Sequence, residues 1–172
     1  SYDTPCIKVA SASITDTELL QHIRNTKIPT ILSTGMSTLA EVKNAVEVFS
    51  SSEYGLLHSV STYPAPVEEL NLNVINTYKD LFPNAVIGYS GHESGLSTSI
   101  AAAVLGAKII ERHITTNRAM WGTDQAASLE PIGMQRLVGS INKITIAMGD
   151  GEKKVYESEI AIKEKLRNVD TI

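Results

Sequence analysis

Two histidines, His92 and His113, close two short runs whose residue types could do chemistry together: Gly88-Tyr-Ser-Gly-His92 and Glu111-Arg-His113. In extended chain, alternation places Gly88, Ser90 and His92 on one face, and Glu111 with His113 likewise. A parallel strand-helix-strand unit would bring the two ends side by side, so both imidazoles could converge on one ion. Imidazole suits divalent transition metals, and two histidines leave coordination positions open for a substrate oxygen. The plainer reading makes each histidine a hydrogen-bonded strand-end residue. The two runs by themselves leave both readings open.

Other polar residues fall at corresponding places along the chain. Lys8 and Ser11 follow the first apolar run, Ser33-Thr-Gly35 the second, and Ser59, Ser61 and Tyr63 the third. One cation with several hydroxyls suits a small phosphorylated or carboxylated ligand. Each serine taken singly also reads as a loop or helix cap. Tyr63 precedes Pro64-Ala-Pro66, which holds an extended turn, so its ring either packs or faces a site. The loop 118–127 is long for its place and lid-like, with Asp124 either solvated or a partner for substrate hydroxyls. Trp121 in that loop reads as lid packing rather than a sugar platform. No glycine-rich nucleotide-binding motif follows any strand.

The elements that must position these residues alternate between strand and helix. Apolar, β-branched runs at 6–10, 30–32, 55–60, 85–89 and 108–114 predict five strands. Between them, Thr15-x-x-Glu18 and Thr38-x-x-Glu41 have the spacing of capping boxes. Leu39, Val42, Val46 and Phe49 form one helical face, and Leu72, Ile75 and Tyr78 another. The stretch from Ser97 to Ala107 is small and apolar all round, which predicts a helix buried against the sheet. The last long helix starts at Pro131, and its expected core face is Met134, Leu137, Val138, Ile141, Ile144 and Met148. The period of about 25 residues is that of one unit of a (β/α)8 barrel. Five units also fit a flavodoxin-like open sheet. Polar residues at the carboxyl end of every strand favour the barrel, so the expected fold is α/β, a parallel barrel fragment of five βα units.

The 172 residues suffice for one domain with a real core, expected to span 1–172 with 151–172 as a charged tail. A net charge of −4 argues against nucleic acid or an anionic membrane as partner. The single cysteine, Cys6, reads as a buried structural thiol and fits a reducing, cytoplasmic setting. The chain opens on Ser1-Tyr-Asp, which reads as neither a signal nor a transit peptide but as a cut from something longer.

Taken together, the motifs Lys8-Val-Ala-Ser11, Ile31-Leu-Ser-Thr-Gly-Met36, Ser61-Thr-Tyr-Pro64 and Gly88-Tyr-Ser-Gly-His-Glu93 resemble the sialic acid (N-acetylneuraminate) synthases. Glu111-Arg-His-Ile114 and Gly122-Thr-Asp-Gln-Ala-Ala-Ser-Leu-Glu-Pro131 continue the resemblance in the same order. The resemblance implies units four to eight of a (β/α)8 barrel. It implies a transferase of carbohydrate biosynthesis that condenses phosphoenolpyruvate with an N-acylated aminosugar such as N-acetylmannosamine, releasing phosphate. By resemblance His92 and His113 bind a divalent metal, usually manganese. Lys8, Ser11, Ser33, Ser61 and Ser90 then hold phosphoenolpyruvate, and Tyr63, Glu111 and Asp124 surround the sugar and its aldehyde as catalytic residues.

Three departures stand against the family pattern. Ser61 stands where asparagine is frequent and Val60 where threonine is usual, which puts phosphoenolpyruvate contacts in doubt; Ser13 stands at a commonly acidic position, which puts the sugar in doubt. The family's first three units, with a catalytic glutamate, are absent, as is the antifreeze-like domain that serves a homodimer partner's site. This fragment alone is therefore expected to be inactive. A metal-dependent aldolase on the same barrel and an inert partial barrel are the alternatives.

Overall fold

The apolar runs form five parallel strands: β1 Ile7–Val9, β2 Thr30–Ser33, β3 Tyr54–Ser59, β4 Val86–Gly91 and β5 Ile109–Arg112. They were located in a computed structural model that describes residues 4–167. The helices are α1 Thr17–Asn25, α2 Leu39–Val48, α3 Val74–Leu81, α4 Ser97–Val104, α5 Pro131–Met148 and α6 Glu157–Leu166. The last of these lies in the expected charged tail. Residues 168–172 of that tail, and 1–3 at the start, lie outside the described residues. None of the described helices is long and apolar enough to cross a membrane.

Strand order separates the two topologies that the sequence left open. The sheet runs β1-β2-β3-β4-β5, each strand beside its successor in the chain, with no switch point. A flavodoxin-like sheet would reverse direction at one place. The sheet also curls. Lys8 on β1 and Glu111 on β5, the two outer strands, meet at 3.0 Å. Four strand spacings of about 4.8 Å separate those strands along the sheet. Two side chains bridge that distance only if the sheet bends round towards closure, as in a barrel.

Register divides the residues cleanly into two layers. Lys8 pairs with Ile31, Ile31 with Gly55, Leu57 with Gly88, and Ser90 with Glu111, so these point into the curl. The opposite parity supplies Val9, Leu32, Leu56, Ile87 and Tyr89, which pack outward against Leu20, Val42, Val46, Ile75, Tyr78 and Ala102 of the helices. That outer layer is the hydrophobic core.

On the inner side, Gly88 leaves space that neighbours fill. A Cβ there would lie 2.6 Å from the Ile109 carbonyl oxygen and 2.8 Å from Ile109 Cβ. Gly139, within α5, has nothing within 4 Å of such a Cβ. Gly88→Ala is therefore expected to cost at least the ~1–3 kcal/mol of an overpacked core. Gly139→Ala is expected to add roughly 0.5–1 kcal/mol. Urea unfolding of both variants checks the pair; equal midpoints would remove the steric argument.

Several local expectations need correction. The Thr15–Glu18 box does not form. A short 3-10 turn at Ser11–Ser13 displaces the helix start, and Asp16 caps α1 by accepting from the Leu19 amide at 3.0 Å. The Thr38–Glu41 box does form. Leu39 is largely exposed while Val42, Val46 and Phe49 are buried. In α4 only Ser99 and Ala102 are buried, because the sheet and α5 cover one side and Val104 faces out. In α5 Leu137 alone is buried, and Val138 and Met148 are exposed, since among the described helices only α4 packs closely on it.

Candidate functional site

The carboxyl ends of the strands form one cleft of about 450 Å³. Lys8, Ser11, Ser33, Ser61, Tyr63, Ser90, His92, Glu111 and His113 all line it. Asp124 stands back, its carboxylate 3.8 Å from His113 Nδ1, too long for a hydrogen bond, and Ser59 and Trp121 are not among the lining residues. A cleft of this size suits a small metabolite.

His92 and His113 lie one residue or so beyond β4 and β5, and the Ser90–Glu111 register sets them level. Their ring centroids are 5.2 Å apart, at near right angles. His92 Nδ1 is 2.6 Å from the Val60 carbonyl, which can only accept, so Nδ1 carries the proton. Nε2 then has the lone pair, and it accepts from the Tyr63 hydroxyl at 3.2 Å. Burial pushes the His92 imidazole below the ordinary histidine value of 6.5, outweighing the upward pull of the Val60 bond. Tyr63 is pushed up by burial, and then by the charges of Asp124 and Glu111, so its phenol keeps its proton to donate. The Tyr63 loop is tied to the end of β4 by the Ala65 amide, which donates to the His92 carbonyl at 3.0 Å.

These donors fit a divalent ion. A neutral imidazole with Nδ1 tied back to a carbonyl presents Nε2 as a ligand, the arrangement that supporting shells around metals commonly enforce. Among the described residues no group of three or more His, Cys, Asp or Glu is arranged to hold a metal. An ion held by two histidines alone would leave its other positions open to substrate and water, as in an open rather than a closed structural site.

The other half of the cleft is lined by one lysine and several hydroxyls. Lys8 Nζ donates to Glu111 Oε1, and Ser90 Oγ donates to the same oxygen at 2.8 Å. Ser11 Oγ accepts from the Gly35 amide at 3.0 Å, which leaves its own proton free to donate into the cleft. Gly35 cannot carry a side chain there, because a Cβ would sit 2.8 Å from Ser11 Oγ and collide with Ser61 Oγ. Ser33 Oγ and Ser59 Oγ are buried at the same end of the sheet with no partner among the described residues. Such hydroxyls call for an oxygen-rich ligand. Ser59 was noted in sequence only as a strand-end residue, yet it lies in register with Ser90.

Sequence reasoning missed one feature altogether. Glu93 and Arg112, each adjacent to a histidine, form a fully buried ion pair at 3.2 Å. A possible signal was the pair of opposite charges flanking the two histidines, with Arg112 on the outward, apolar parity of its strand. Burial opposes ionisation of Glu93 most strongly, but Thr98, Arg112 and Tyr89 together outweigh it and hold the carboxyl below its ordinary 4.5. A depressed carboxyl contributes stability that is present above about 4.5 and is lost as pH falls through its lower folded value. The urea midpoint is therefore expected to decline first as pH falls below 6.5, where the buried His58 and His92 oppose protonation, and to drop further below 4.5, with Glu93→Gln flattening only that second, lower limb. An identical acid limb in the variant would assign the loss to other carboxyls.

The lid expectation for Trp121 is also corrected. Its ring is 99% exposed and packs on nothing, because the loop is anchored instead through Arg118 to the Ala126 carbonyl and through Asn117 to its own turn.

Comparison with known proteins agrees with this fold. Human N-acetylneuraminate-9-phosphate synthase is 37% identical over 166 residues, covering 95% of this chain and 46% of its own length. The N,N'-diacetyllegionaminic acid synthase of Campylobacter jejuni is 41% identical over 157 residues, covering 88% of this chain and 47% of its own. The crystal structure of N-acetylneuraminic acid synthetase from Leptospira borgpetersenii, in complex with citrate, superposes with a TM-score of 0.84 at 33% identity. It covers 97% of this chain and 60% of that one. The chain spans about half the length of the curated relatives it matches. With residues 1–153 matching its family model, this chain belongs to the NeuB family.

Proposed function

We propose that this chain forms the carboxyl-terminal part of the catalytic barrel of a cytoplasmic synthase that joins phosphoenolpyruvate to an N-acylated aminosugar aldehyde. The observation that carries the reading is the meeting, in one cleft, of an anion cradle and a pair of convergent imidazoles. Carbon 3 of phosphoenolpyruvate bonds to the aldehyde carbon, water adds at carbon 2, and phosphate leaves by carbon–oxygen cleavage. The products are a 2-keto sugar acid and inorganic phosphate.

Lys8 and the Ser11, Ser33, Ser61 and Ser90 hydroxyls hold the carboxylate and phosphate of phosphoenolpyruvate by charge-assisted hydrogen bonds. That grip fixes carbon 3 towards the histidines, where alignment lowers the barrier most. Glu111, already bonded to Lys8 and Ser90, stands between the two halves and can take or return a proton at the reacting oxygens. Tyr63 and Asp124 face the sugar from the His92–His113 side. His92 and His113 would hold a divalent ion, manganese by preference, which supplies Lewis-acid polarisation of an aldehyde oxygen.

The sugar is a 2-acetamido aldehyde of the mannosamine type, and Ser13, without a charge, sets the choice among close relatives. Phosphate release tests the reading, with the chain combined with a polypeptide that closes the barrel. N-acetylmannosamine or a doubly acetamidated deoxy sugar is the expected acceptor. Equal turnover of an unacylated tetrose or pentose phosphate would overturn it.

A further inference from the structure

We infer that the buried Glu93–Arg112 pair is a positioning device that sets His92, His113 and the Asp124 loop against one another. The inference rests on the proposed reading of the two histidines as members of one site. Neither charged side chain reaches the cleft: their relative exposures are 0% for Glu93 and 1% for Arg112. Their place is behind it, each one residue from a histidine.

Arg112 binds three separate segments at once. Its Nη1 donates to Glu93 Oε1, to the Gly95 carbonyl at 2.9 Å and to Ser99 Oγ at 2.9 Å. Its Nη2 donates to the Glu93 carbonyl at 2.6 Å and to the Ala127 carbonyl at 3.3 Å. One guanidinium therefore joins the chain just past His92, the first turn of α4, and the end of the loop that carries Asp124. Glu93 is held in turn by Thr98 at 2.5 Å, Tyr89 at 2.8 Å and Ser99 at 3.1 Å. On the far side, Leu129 donates to the His113 carbonyl at 2.8 Å, and Ser128 Oγ to the Asp124 carbonyl at 2.8 Å. The carboxyl end of the Asp124 loop is thus referred to Arg112 and His113 at the end of β5.

Stability alone does not account for such a pair. Desolvating two charges costs heavily, and apolar residues of similar volume commonly replace buried pairs without loss. What an apolar pair cannot reproduce is the planar fork, which fixes direction as well as distance. Supporting residues of this kind orient ligands rather than touch them.

The test uses the 172-residue chain with two variants, the apolar exchange Glu93→Leu/Arg112→Met and the charge-retaining Arg112→Lys. Two readouts are taken: the nuclear Overhauser contact between the His92 and His113 rings, and manganese affinity by calorimetry. The apolar exchange is expected to keep a cooperative melt, lose the ring–ring contact and bind manganese about 10- to 100-fold more weakly. Arg112→Lys should fall between it and the parent, since an ammonium keeps the charge but not the fork. If the apolar exchange does not fold, Arg112→Lys decides by the same readouts. A retained ring contact with parental manganese affinity in the folded variants overturns the inference and makes the pair merely structural. A parent that shows the ring contact but binds no manganese refutes the metal reading. In that case loss of the contact in the variants still supports positioning.

Discussion

His92→Ala and His113→Ala are each expected to abolish manganese binding, and with it turnover in the closed barrel. The cleft brings two imidazoles together, and among the described residues no three His, Cys, Asp or Glu side chains are arranged to hold a metal, so losing one histidine leaves a single anchor. The affinity loss should exceed the roughly 10- to 100-fold that follows removal of a supporting residue. The two variants should differ in stability. His92 is buried and holds the Val60 carbonyl, so its loss orphans an acceptor and costs about 1–3 kcal/mol. His113 has a half-buried side chain and makes no hydrogen bond from its ring among the described residues, so its removal should be nearly neutral for folding. Calorimetric titration with manganese, beside urea unfolding, separates the two effects. If both variants bind manganese as the parent does, the histidines are structural.

The second large effect is expected at Lys8. Lys8→Met should weaken phosphoenolpyruvate binding by at least 10- to 100-fold, the worth of about 1.5–3 kcal/mol for a hydrogen bond to a charged group. Lys8 is the one lysine or arginine among the described residues lining the cleft, and in its absence the Glu111 carboxylate would face an anionic ligand uncompensated. Glu111→Gln should do the reverse for binding: it frees Lys8 from a competing carboxylate, so affinity holds or tightens while turnover falls. Equilibrium binding of phosphoenolpyruvate to the three proteins is the measurement. Undiminished affinity in Lys8→Met would place the anion elsewhere.

Much of this was legible in the sequence because the relevant signals are local. Alternation within Gly88–His92 and Glu111–His113 puts the side chains on one face, and β-branched runs mark every strand to within a residue or two. What was not legible depends on distant partners. Asp16 rather than Thr15 caps α1 because the turn at Ser11–Ser13 shifts the start, which no spacing rule contains. The Arg112 guanidinium gathers acceptors from residues 93, 95, 99 and 127, a grouping fixed by packing behind the sheet. The apolar stripe on α5 was read as core, yet sequence periodicity reports that a face can be buried and not what covers it.

The strand order has a kinetic consequence. Every strand pairs with its successor, so each partner lies roughly 25 residues away, and each pairing must close a loop of that length before it contributes, which slows a parallel sheet. Units can add one after another, as in a repeat array. The Lys8–Glu111 bond, 103 residues apart in the chain, is the contact that must wait for the whole sheet to curl. His92, Glu93, Arg112, His113 and Asp124, by contrast, all belong to the last strand-helix-strand unit and its loop. During folding, the two histidines can therefore be brought level with Ser90 and Glu111 by this one unit, while Val60 and Tyr63 of the preceding unit and Lys8 of the first must still join them.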